Sequence, residues 1–147
     1  MNFLSLIREL AKTYQAFGTY SGFHIKNSGL TPPQFDVIAT LGNTQGLSCR
    51  ELSERNLMIK GTLTGVLVRL EAKKLINRRA HATDGRCSII ALTPKGQALF
   101  EKIFPEHLKY LEAAFIELDE KKRTTLQEHL KELRLALERH SDKNTKK

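Results

Sequence analysis

Seven cations, Lys60, Arg69, Lys73, Lys74, Arg78, Arg79 and Arg86, fall between positions 60 and 86, where the only acids are Glu71 and Asp84. That net of about +5 is most of the +8 carried by all 147 residues. Guanidinium and ammonium groups gathered on one short segment suit contacts to a row of phosphates. Among them stand Gly61, Thr62, Thr64, Gly65 and Val68, small or β-branched residues that are poor helix formers. A helix built for stability alone would carry Glu, Lys and Ala there. Small side chains let a backbone approach another surface closely, and threonine hydroxyls and methyls can contact base edges in a major groove. The competing explanation is close packing against a neighbouring helix of the same protein.

Other chemistries find less support. There is no glycine-rich phosphate loop, no nucleophile elbow and no pair of carboxylates on one helix face, so an enzyme is not expected. His24, His81, His107, His129 and His140 show no metal-ligand spacing with Cys49 and Cys87, and neither a metal nor a cofactor is implied. The two cysteines are too few for a disulfide scaffold. Cys49 lies in the first turn of a helix beside Arg50, and Cys87 follows Arg86, so either could serve a thiol-based redox sensor; a small structural cysteine is the simpler reading of both. No apolar run approaches the roughly 20 residues needed to span a bilayer. Arg8, Glu9 and Lys12 interrupt the N-terminal segment where a signal peptide would be apolar, and a cytoplasmic location is expected. A membrane surface would want the basic cluster beside exposed apolar residues on one amphipathic helix, and single-stranded RNA would want aromatic stacking platforms. The segment has neither, which favours double-stranded DNA.

The surrounding elements read as a frame for that segment. Residues 2–27 form a helix with Phe3, Ile7, Leu10, Tyr14 and Phe17 on a narrow seam, weakened toward a bend or break by Gly18 and Gly22. Thr31-Pro32-Pro33-Gln34 combines a capping box with proline at the first helical position, and Phe35, Ile38 and Leu41 follow as the buried stripe. Ser48 and Glu51 make a second capping box ahead of a short helix that buries Leu52. The next helix, over about 60–73, buries Leu63, Val66, Leu67 and Leu70. Two strands, 75–81 and 87–92, flank Asp84-Gly85, a hairpin turn with Arg86 at its tip. Thr93-Pro94 opens a long helix in which Pro105 predicts a kink. Asp119 caps a last helix striped by Leu126, Leu130, Leu133 and Leu137, and residues 141–147 read as a frayed, disordered tail. The order is helix, turn, helix, then a two-stranded wing: a mainly α chain with a small β-wing, one domain over 1–147. Residues 31–93 would be its winged helix-turn-helix, and 1–27 with 94–140 helices that join two copies.

Asp84-Gly85-Arg86, followed beyond the next strand by Leu92-Thr93-Pro94-Lys95-Gly96, resembles the wing pattern of the multiple-antibiotic-resistance regulator (MarR) family of bacterial transcription factors. Leu63-Thr64-Gly65, Val68-Arg69-Leu70-Glu71 and Leu75-Ile76 are similar to that family's recognition helix running into its first wing strand, and Leu30-Thr31 with Gln34-Phe35 to the start of its second helix. The resemblance covers nearly the whole chain. It implies a homodimer with intertwined first and last helices, most often a repressor on a pseudo-palindromic operator. It puts Lys60, Gly61, Thr62, Thr64 and Gly65 toward the major groove, Arg69 toward phosphate or in support of the wing, Arg78 among the DNA contacts, and Arg86, oriented by Asp84, into the minor groove. It further implies a small phenolic or carboxylate effector near Tyr14, His24, Lys26 and Phe35, positions that an ordinary core would equally fill. Two features depart from the family pattern: Pro105, and Lys73-Lys74 in place of a glycine ending the recognition helix. A winged-helix module that docks protein rather than DNA is the alternative.

Overall fold

The computed structural model describes residues 2–57, 63–80 and 88–145. Their packing separates two units, residues 1–108 and 109–147.

In the first unit, α1 (Leu4–Ile25) runs into a single 3-10 turn, Lys26–Ser28, closed by Gly29 at φ +75°. The expected break at Gly18 and Gly22 does not occur. Each glycine costs a helix about 1 kcal/mol, but Ser21 and Ile25 are buried here, and that packing outweighs the local preference. α2 (Pro32–Leu41) begins with the capping box, Thr31 and Gln34 each satisfying the other's backbone amide. α3 (Cys49–Arg55) begins the same way with Ser48 and Glu51. α4 spans Leu63–Ala72, and the strands β2 (Ile76–Ala80) and β3 (Ser88–Leu92) pair antiparallel with Arg78 opposite Ile90. The hairpin tip expected at Asp84-Gly85 lies outside the described residues.

The sheet has three strands where two were expected. Leu47–Ser48, ahead of α3, forms β1 and pairs with the outer side of β3, giving the order β1-β3-β2. A two-residue strand is too short to show any period. Val37, Ile38 and Leu41 of α2, Leu52 of α3, Leu67 and Leu70 of α4 and Ile90 of β3 are essentially sealed from solvent. Ile25 of α1 and Phe100 and Ile103 of the next helix join the same cluster.

That helix, α5 (Pro94–Phe115), is capped by Thr93, whose hydroxyl accepts the Gly96 amide at 3.0 Å. It continues as one helix through Pro105, although Pro105 cannot bond back to the Glu101 carbonyl. In the second unit Asp119 caps α6 (Glu120–Thr145) by accepting the Lys122 amide at 2.8 Å. α6 extends through Thr145, so residues 141–145 are helical rather than a disordered tail. Ser141 and Thr145 bond their hydroxyls to carbonyls one turn back, and Lys143 suits the negative end of the helix dipole.

Candidate nucleic-acid interface

α4 turns two different faces outward and inward. Leu67 and Leu70 are buried and Leu63 and Val66 half-buried, while Thr64, Gly65, Val68 and Arg69 share the exposed face. A side chain added at Gly65 would meet nothing within 4 Å. Thr64, Gly65 and Val68 therefore do not serve packing against the described residues of this chain, which weighs against the competing explanation for them. What remains is a shallow, low-relief helix surface with Arg69 beside it, suited to close approach by a groove.

Two features lie on either side of this helix in the sequence, the second at the Lys73-Lys74 departure from the family pattern. Asp36 of α2 is buried, and its carboxylate accepts the Leu57 amide on both oxygens, at 2.9 and 3.1 Å. A buried carboxylate thus fixes Leu57, just past the end of α3. At the other end Lys74 adopts a left-handed conformation, φ +59°. Its amide bonds to the Glu71 carbonyl at 2.8 Å, and that of Leu75 to the Leu70 carbonyl at 3.0 Å. This is the bonding of a Schellman cap, with Leu70 and Leu75 both buried in the same apolar core, made with lysine where glycine is usual. The Lys74 carbonyl accepts the Thr93 hydroxyl at 2.7 Å, tying the end of α4 to the start of α5.

The structure divides the basic cluster. Lys73 donates to the Gly29 carbonyl (3.2 Å) and the Gln34 side chain (2.9 Å). Arg79 donates to the Gln45 carbonyl at 2.7 Å. Arg78 stands with its Nε 2.7 Å from Glu71 Oε1, an ion pair off the N–H axis rather than an aligned hydrogen bond. Three of the cations thus have internal work, and Arg69 and Lys74 are left exposed. Lys60, Gly61, Thr62, Asp84, Arg86 and Cys87 lie outside the described residues. Cys49 is exposed at the first position of α3.

The proposed effector residues separate as well. His24 and Phe35 border one small cavity of about 200 Å³, together with Ile25, Leu99, Lys102 and Ile103. Tyr14 is exposed farther up α1, and Lys26 is exposed and does not border the cavity. Beside it lies a polar cluster that no local spacing signals. His107 of α5 is 3% exposed; its Nε2 is 3.1 Å from Ser21 Oγ and its Nδ1 is 3.0 Å from His24 Nδ1. Its ring meets Phe35 edge-on at 4.6 Å. Two Nδ1 atoms in hydrogen-bond contact require one to donate and the other to accept, so at least one ring is neutral. Burial, and then the neighbouring His24, push the His107 pKa below the ordinary histidine value. Spacing could not have shown this, because 83 residues separate the two histidines. Among the described residues no three histidine, cysteine or acidic side chains gather as a metal site, and no helix is long and apolar enough to cross a membrane.

Comparison with known proteins agrees with this architecture. Residues 28–86 match the model of the MarR family. The chain is 30% identical over 132 residues to the HTH-type transcriptional regulator MhqR of Bacillus subtilis (strain 168), covering 90% of this chain and 91% of that protein. It superposes on BpsR of Bordetella bronchiseptica, whose DNA binding is regulated by 6-hydroxynicotinic acid, with a TM-score of 0.78 and 26% identity over 90% of this chain and 95% of that one. It also resembles NadR solved with 4-hydroxyphenylacetate, with a TM-score of 0.71 and 27% identity over 85% of this chain and 89% of that one. These relatives are transcription regulators, not enzymes. With its winged helix, the exposed small-residue face of α4 and these relatives, this chain belongs to the MarR family of DNA-binding transcriptional regulators.

Proposed function

We propose that the protein is a repressor that binds a pseudo-palindromic operator as a homodimer and is released by a small aromatic acid. The observation that carries the reading is the exposed, small-residue face of α4 with Thr64, Gly65 and Arg69. Thr64 and Gly65, with Lys60, Gly61 and Thr62 ahead of them, read the major groove; Arg69 contacts phosphate, and Arg86, steered by Asp84, enters the minor groove. Two-fold symmetry in the protein asks for half-sites about one helical turn apart, roughly 10 base pairs. A DNA partner puts its place of work in the cytoplasm.

A second copy has apolar surface to cover. Phe3, Ile7, Leu10 and Tyr14 of α1 are exposed in the single chain, and in the second unit no residue of α6 is buried. Phe115, Leu118, Leu126 and Leu130 floor a groove of about 730 Å³ there. Leucines at such spacing, left open to water, support association through these helices.

The cavity bordered by His24, Phe35, Lys102 and Glu106 supports a single-ring acid that also carries a hydroxyl: an aromatic edge, a cation for the carboxylate, and an acceptor in Glu106 for a hydroxyl proton. The acid that regulates DNA binding by BpsR and the one held in the NadR complex are hydroxylated aromatic acids of that kind. Footprinting on DNA upstream of the protein's own gene, with and without 4-hydroxyphenylacetate or 6-hydroxynicotinate, tests the whole reading. A symmetric protected site that opens with the acid, and stays closed in His24→Ala, is expected. An asymmetric or absent footprint contradicts the operator, and protection indifferent to both acids contradicts the effector class.

A further inference from the structure

The structure assigns Arg78 and Glu71 a joint role as positioning residues: their ion pair clamps the wing to the recognition helix, so that Arg78 aims the wing rather than contacting phosphate. The inference rests on the reading that the wing engages the duplex.

The geometry leaves Arg78 little else to do. Along β2, side chains alternate between the two faces of the sheet, so Arg78 shares its face with Ile76. Ile76 is buried, and so is Ile90, the residue directly opposite Arg78 on β3. Arg78 therefore stands on the inward face, its side chain 29% exposed and its Nε closed off from solvent. Arg79, on the opposite face, turns to the Gln45 carbonyl instead. An arginine meant for phosphate would stand on the outer face or the rim.

Glu71 meets Arg78 from the last turn of α4, two residues beyond Arg69. An acid beside a reading helix is unfavourable for DNA approach, because it repels phosphate. Pairing it with Arg78 cancels that charge and uses it. The connection between them contains the left-handed Lys74 cap, which sets the path from helix to strand. The β1 pairing, the buried Ile76 and Ile90 and the Arg79–Gln45 bond seat the base of the hairpin on the core, and the Arg78–Glu71 pair adds a direct tie between β2 and α4 itself. Since α4 enters one groove and the wing the next, a small change in the angle between them moves the wing out of register with its groove.

The experiment is a mutant cycle on operator affinity with salt dependence, using Glu71→Gln, Arg78→Gln, the exchanged pair Glu71→Arg with Arg78→Glu, and Arg86→Ala. Glu71→Gln and Arg78→Gln should each weaken operator binding about two- to fivefold, the range of a partly exposed ion pair. Combined, they should do no more than either alone. The exchanged pair should recover most of the affinity, and the slope of log affinity against log salt should stay unchanged in Arg78→Gln. Arg86→Ala should cost less in a Glu71→Gln background than in the native one, because the wing is already loose.

If Arg78→Gln weakens binding, lowers the salt slope by about 1 and leaves Glu71→Gln without effect, Arg78 is a phosphate ligand and the clamp is overturned. Native affinity in both single variants, where Arg86→Ala does weaken binding, overturns it too. Failure of the wing reading looks different: Arg86→Ala alone would then leave affinity unchanged. Amide hydrogen exchange of the β2–β3 ladder in the DNA-free protein separates the two. Faster exchange in Arg78→Gln, reversed by the exchanged pair, shows the clamp acting whatever the wing touches, and exchange equal to the native protein's removes it.

Discussion

Lys74 holds a backbone conformation that costs a side-chain-bearing residue about 1–2 kcal/mol more than glycine. Part of that difference returns when glycine is introduced, because the unfolded chain gains freedom. Lys74→Gly should therefore raise unfolding stability by about 0.5–1 kcal/mol, read from the urea midpoint; no change or a loss would mean that the lysine side chain supports the cap. His107 makes a second residue-scale prediction. Its pKa is lowered by burial and by His24, so below the ordinary histidine value of about 6.5 the unfolded chain takes up a proton that the folded chain resists. Its contribution is harmless above that value and turns against folding as pH falls from there to the lowered one. Denaturant unfolding should show stability dropping between pH 7.5 and pH 5.5, with a shallower drop in His107→Gln; parallel slopes in the two proteins would contradict the assignment. The sequence flagged Lys73-Lys74 as standing where a helix-ending glycine is usual, but not that Lys74 would take up the glycine's left-handed conformation. His107 gave no signal, because it matters only through partners on α1 and α2. Arg78 shows the opposite difficulty: its charge was legible, but the carboxylate 2.7 Å away that occupies it was a matter of folding.

The elements were more legible than their tips. Both capping boxes, Thr31 with Gln34 and Ser48 with Glu51, stand where the spacing put them, because a cap is set by four consecutive residues. The threonine cap at Thr93 did as well, and the structure explains the glycine three residues on. A side chain at Gly96 would collide with the Leu75 carbonyl, where α5 begins against the end of α4. Gly96→Ala should therefore destabilise by about 1–3 kcal/mol, measured by thermal or urea unfolding. Stability within a few tenths of a kcal/mol of native would mean that the α4–α5 junction relaxes freely. Leu47–Ser48 as a strand, and α1 continuing past two glycines, were not legible locally. In each case the deciding energy comes from a distant partner: β3 for the strand, the buried face of Ser21 and Ile25 for the helix.

At the scale of the molecule, the leucine seams were read correctly as apolar stripes, and the chain leaves them uncovered. If they join two copies, Leu130→Glu should shift sedimentation from dimer to monomer and weaken operator binding together, since one reading head loses the other's contribution. A dimer unaffected by this charge would move the interface elsewhere. The reading heads carry the central claim, that the exposed face of α4 recognises sequence. Its most direct measurement is fluorescence anisotropy of the native protein and Thr64→Ala on the footprinted operator and on random duplex, across a salt series. Native protein should prefer operator by about 10³ or more, with affinity falling steeply as salt rises. Thr64→Ala should lose about 1–3 kcal/mol of that preference while its binding to random duplex stays the same. Equal affinity for operator and random duplex, or a preference untouched by the loss of Thr64, would contradict the account.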